Sequence, residues 1–226
     1  MPEQVSGIVK MQVARAGRRW WRVGFWACIV IAAAAVIRRL LALAHPQHSG
    51  ASQMAGLDQV FASHAALTLA HILAALAFVL ISPFFVFRDS NKKAWPEWLL
   101  YPFGLVIGIT AYAMSVHPVG GWLERSAVLL FNTVFLFSLC RAYLYTRKGQ
   151  FRLERRWMIR GIAILLGIAT TRPVMGIFFA TSRLTHLEPS QFFGIAFWIG
   201  FSINTLFGEL WLRNKDQRQE RRETLT

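Results

Sequence analysis

With 226 residues, 55% of them hydrophobic and only 16% charged, the chain is too apolar for a soluble domain of its length. Its mean hydropathy is +0.40, and its formal net charge of +14 carries information mainly through where the charges fall. No heptad, repeat or low-complexity block is present, so the composition indicates an all-α polytopic integral membrane bundle of about six transmembrane helices.

Residues 1–22 form a basic segment carrying Lys10, Arg15, Arg18, Arg19 and Arg22, and the first apolar run follows from Val23 to Ala44. The basic leader and the Ala42-Leu43-Ala44 stretch before His45 imitate a cleavable secretory signal, and Arg18-Arg19 imitates a twin-arginine signal. Arg38 and Arg39 between the run and the small-residue site favour a retained helix. Further runs cover Ala65 to Phe87, Trp98 to Val116, Ser126 to Tyr145, Gly161 to Thr181 and Ser190 to Leu212. Each is close to the ~20 residues with which a helix crosses a bilayer, and lipid forces the backbone to satisfy its own hydrogen bonds. Residues 23–213 thus read as one membrane domain and 214–226 as a basic tail.

Basic residues cluster before the first helix, after the second (Arg88, Lys92, Lys93), after the fourth (Arg147, Lys148, Arg152, Arg155, Arg156, Arg160) and after the sixth, whereas the opposite loops hold Arg125 and Arg183. By the positive-inside rule both termini are cytoplasmic, and the charge is expected to meet anionic lipid headgroups, not nucleic acid. Trp20, Trp21, Trp95, Trp98, Trp122, Trp157 and Trp211 near helix ends read as an interfacial belt. Cys28 and Cys140 fall inside helices one and four, match no zinc spacing and read as packing residues.

Arg172 lies inside the fifth run, where an unpaired guanidinium costs between ~3 and more than 10 kcal/mol. A rise of ~1.5 Å per residue places Arg172 about 17 Å above the cytoplasmic interface, Asn204 about 13 Å, Arg141 about 7 Å and Glu209 about 6 Å. Shared depth pairs Arg141 with Glu209, and Arg172 with Asn204 and backbone carbonyls. Pro173 cannot donate to the Ala169 carbonyl, so a kink there is expected to free an acceptor. Thr171, Arg172, Asn204, Arg141 and Glu209 make up the candidate ligand set. The bland alternative is polar glue between helices four, five and six.

All six histidines (His45, His48, His64, His71, His117, His186) fall in the outer half or outer loops. His64 and His71 share a face of the second helix about 10 Å apart, and His117 ends the third, so His64, His71 and His117 are the candidate ligands for a haem or metal. No nucleophile elbow, phosphate loop or zinc motif is present.

The second half reads RAYLYTRKGQFRLERRWMIRGIA from Arg141 to Ala163, then the Arg172 helix, then FWIGFSINTLFGELWLR from Phe197 to Arg213. This order resembles the bacterial membrane proteins grouped as domain of unknown function 2306, which pair an Arg-Ala-Tyr helix end and an Arg-Arg-Trp-Met-Ile-Arg loop with a late Asn and Glu. The resemblance covers residues 65 to 213 and implies a multi-pass protein of a bacterial inner membrane. His71 falls where the family tends to have a histidine. Glu154 stands where another histidine is common, and WPEWLLYPFG where a His-Arg motif usually opens the third helix. Three functions fit: a protein binding haem, metal or a quinone- or lipid-like ligand; an enzyme on a lipid-like substrate with Glu209 as the catalytic acid or base; or a structural subunit of a membrane complex.

Overall fold

A computed structural model describes residues 2–44, 64–87, 95–118, 120–185 and 189–223. Among the described residues all regular structure is helical: α1 (Pro2–Ala44), α2 (Ala65–Phe87), a 3-10 turn (Trp95–Leu99), α3 (Leu100–Met114), α4 (Gly121–Arg147), α5 (Phe151–Leu165), α6 (Gly167–Thr185) and α7 (Pro189–Glu223). Among the described residues six stretches are long and apolar enough to cross a membrane, α5 and most of α6 together making the fifth, Phe151–Thr181. The chain is therefore an all-α polytopic bundle. One end, here the basic end, carries the α4–α5 connection; the other carries the α3–α4 connection. His45, His48 and His186 lie outside the described residues.

Lipid tails are as apolar as leucine, so these helices associate through close packing and buried polar bonds instead of through exclusion from water. Helix α7 supplies much of that closeness, packing against α4, α5 and α6. A Cβ on Gly200 would stand 2.7 Å from the Thr171 backbone nitrogen, and one on Gly194 equally close to that of Glu124, while Gly208 backs onto Ala163. On the other side α4 packs against α3, where Asn132 Nδ2 donates to the Gly108 carbonyl at 2.9 Å. Phe78 of α2 meets Phe135 of α4 edge-on in the core, ring centroids 5.8 Å apart. Helix α1 packs on α2 and α6 and closes the remaining side.

Several boundaries depart from the sequence reading: α1 already begins at Pro2 and α7 continues past Leu212 to Glu223. Helix α5 starts at Phe151, ten residues ahead of the apolar run. Its charged residues had the look of a loop, but Met158, Ile159 and Ile162 form a buried stripe along it while Arg152 stays exposed. The expected interruption at Pro173 lies instead at Leu166, where the ladder tightens to an Ala169 N–H to Leu166 carbonyl bond of 3.0 Å; α6 then runs through Pro173. Next to that break Gly167 sits against the backbone of Phe201, a Cβ there meeting its Cα at 2.9 Å.

Candidate functional site

A cavity of about 450 Å³ occupies the middle of the bundle, toward the end opposite the basic one, and all seven helices border it. Most of its wall is aliphatic and aromatic. Phe193, Phe197 and Phe201 follow one another along α7 with centroid spacings of 5.2 and 5.8 Å, and Phe131 of α4 stacks on Phe201 at 5.2 Å. All four border the cavity, giving an aromatic wall on α4 and α7.

The facing wall, from α1 and α6, is cationic. Arg172 retains exposed surface and borders the cavity, and among the described residues no hydrogen bond or ion pair engages it. Arg38 and Arg39 border the same cavity, within electrostatic reach of Arg172. The α1 rise from Val23 puts Arg38 about 6 Å farther from the basic end than Arg172, a gap a guanidinium arm spans. Glu124 is the one carboxylate among the described lining residues, and its Oε2 accepts the Gly120 backbone N–H at 2.6 Å, at the start of α4. His71 also borders the cavity, its Nδ1 2.8 Å from Thr110 Oγ1.

The remaining members of the predicted ligand set lie elsewhere. Thr171 is fully buried against Gly200, and its hydroxyl donates to the Ile168 carbonyl at 2.6 Å, so it docks α6 on α7. Asn204 does not pair with Arg172. Its amide nitrogen is buried without a hydrogen bond near Cys28 and Thr170, where the Cys28 sulfur lies 4.0 Å from the Thr170 hydroxyl. The expected Arg141–Glu209 pair is also replaced: Glu209 accepts from Arg160, through Nε to one oxygen and through a second nitrogen at 3.2 Å to the other. Equal depth had matched the wrong arginine, because Arg160 sits on the α5 face that meets α7. Arg141 donates to the Tyr145 hydroxyl at 2.7 Å and lies over the Trp157 ring, which Arg160 also approaches.

His64 and His117 stack with ring centroids 5.1 Å apart, joining the ends of α2 and α3. His71 is held separately by Thr110, and among the described residues no three His, Cys, Asp or Glu side chains gather as a metal group. At the basic end, Tyr101 donates to Glu154 at 3.0 Å and meets Thr146 at 2.8 Å, tying α3 to α4 and α5.

Sequence reading used Arg38 and Arg39 only to favour a retained first helix and missed them as cavity residues, although both fall where the α1 span ends near Leu41. It also missed Glu124, which a count of charges at the outer loop could have raised.

The protein-family description "Predicted membrane protein (DUF2306)" matches residues 61–212. No curated protein and no solved structure matches the chain.

Proposed function

The chain belongs to the DUF2306 family of predicted membrane proteins, and on that premise we propose that it is a bacterial inner-membrane protein, both termini cytoplasmic, that holds a quinone- or lipid-like amphiphile in its central cavity. One observation carries the reading: Arg172 borders an apolar cavity of about 450 Å³ and has no partner among the described residues. A cation in the hydrocarbon layer is costly unless paired, and a residue that bears that cost is a functional one by default. A pocket of this size, apolar with a few convergent polar groups, has the form of a small-ligand site.

The reading keeps Arg172 from the original set as the anchor and leaves Thr171, Asn204, Arg141 and Glu209 as helix-locking residues. Glu209, with both oxygens accepting from Arg160, serves better as a tie between α5 and α7 than as a catalytic acid or base. Gly176 provides the test, since it borders the cavity and a Cβ there meets nothing within 4 Å. Gly176→Leu should fold as the parent does and fill the space. Mass spectrometry of extracts from purified protein should find an amphiphile in about stoichiometric amount with the parent and much less with the variant. Equal retention by both would sink the cavity reading.

A further inference from the structure

Resting on the amphiphile reading, we infer that the cavity takes the diphenol head of a chain-bearing hydroquinone: one hydroxyl donates to His71 Nε2, the opposite oxygen accepts from Arg172, and the ring lies along the α4–α7 aromatic wall.

One proton decides the acceptor. His71 Nδ1 lies 2.8 Å from Thr110 Oγ1. A hydroxyl has a single hydrogen, and that of Thr110 is directed back into its own helix, where the Val106 carbonyl stands at 2.6 Å and the Ile107 carbonyl at 3.1 Å. The Thr110 oxygen therefore accepts, and the network assigns the imidazole proton to Nδ1. In neutral imidazole the other nitrogen, Nε2, then carries a lone pair and no hydrogen. His71 borders the cavity, and among the described residues no hydrogen bond engages Nε2, nor is that atom closed off from open space. The cavity thus holds an acceptor as well as the donor at Arg172, which likewise has no hydrogen-bond partner among the described residues.

Position selects the head. His71 stands on α2 and Arg172 on α6, two helices that each pack on α1. Counting the rise from Phe87 in α2 and from Gly161 ahead of α6 puts His71 about 7.5 Å farther from the basic end than Arg172. A single hydroxyl engages both only by drawing the two side chains together, whereas two oxygens on opposite corners of one ring meet them where they stand. Heads that only accept fail differently. A quinone or a fatty carboxylate takes hydrogen bonds from Arg172 but offers none to Nε2, which is then left unsatisfied in a filled, water-free space. A hydroquinone serves both residues. Its ring also suits the row Phe193, Phe197 and Phe201, whose centroids are spaced 5.2 and 5.8 Å apart along α7.

Decylhydroquinone kept reduced with ascorbate, decylbenzoquinone and decanoate, each titrated against the full chain in a neutral detergent, test the inference. The hydroquinone should bind at least about tenfold more tightly than the quinone, and more tightly than decanoate. Thr110→Val removes the acceptor that fixes the tautomer, so the imidazole proton is free to move to Nε2, and the preference should shrink to within about twofold. His71→Phe keeps an aromatic side chain without the lone pair and should bring the hydroquinone down to the level of the quinone. Arg172→Met should weaken both forms, and Gly176→Leu every probe. Thermal melts establish that each variant is folded, and Thr110→Val carries the test where His71→Phe does not fold. Equal binding of hydroquinone and quinone, both blocked by Gly176→Leu, overturns the acceptor at His71 and leaves the cavity reading standing. A preference that survives Thr110→Val and His71→Phe puts the hydroxyl elsewhere and overturns it too. Decanoate binding above that of the hydroquinone overturns the diphenol head. A haem absorption band in the purified protein that His71→Phe abolishes gives the lone pair to iron and overturns the hydroquinone. No binding of any probe overturns the cavity reading as well.

Discussion

Gly200 of α7 lies against the backbone of Thr171 so closely that a methyl group added there would stand 2.7 Å from the Thr171 nitrogen. That contact sets the distance between the helix carrying Arg172 and the helix carrying the aromatic wall. Gly200→Ala should therefore destabilise the bundle by about 1–3 kcal/mol, since helix backbones must separate to admit the methyl. Gly176→Ala, on α6 and open to the cavity, should be neutral or gain up to about 1 kcal/mol from helix propensity. Unfolding midpoints of the two variants in one detergent check the contrast; similar losses would mean that α6 and α7 are not so tightly apposed.

The Arg160–Glu209 tie should behave as a coupled pair. Both side chains are partly exposed, 23% and 34%, so the single changes Arg160→Met and Glu209→Leu should cost about 1–3 kcal/mol each, less than a fully buried pair. The double variant should recover much of that loss, because neither charge is then left alone. A double-mutant cycle on thermal stability gives the coupling energy, and additive losses would show that the two residues act independently.

Tyr101→Phe removes the hydroxyl that Glu154 accepts from. Glu154 is buried, so the orphaned carboxyl should cost about 1–3 kcal/mol. Adding Glu154→Leu should restore part of it, as replacing both partners usually does. Melting temperatures of the single and double variants are the readout.

Orientation can be tested with an impermeant maleimide on intact cells, after Cys28 and Cys140 are changed to alanine. Gly120 and Gly149 are poor probe sites, the first for lack of room and the second because its φ is +69°. Val116→Cys and Lys148→Cys, both at exposed positions near the two ends, serve instead. With both termini cytoplasmic, the first should label from outside and the second only after lysis. The reverse pattern would invert the topology.

The sequence-level view reached the fold because lipid imposes a coarse rule: about 20 apolar residues make one crossing. It misjudged α5 because Arg152, Arg155 and Arg156 crowd its first turns, and an average over residues cannot see a buried stripe between them. Arg172 was legible as a charge inside an apolar run. Its surroundings were not, because residue rise gives height along a helix but not which way a side chain faces. Thr171 and Asn204 have suitable heights and the wrong faces, whereas Arg38 and Arg39, which in the sequence only favoured a retained helix, border the cavity from α1.

The family match begins at residue 61, so it takes in α2 to α7 and leaves out α1. Yet α1 brings Arg38, Arg39 and the Ala32–Val36 part of the cavity wall. Part of the cavity wall is thereby drawn from outside the matched length. On the proposed reading, removing α1 would open the cavity along one side while leaving α2 to α7, with Arg172, packed as they are.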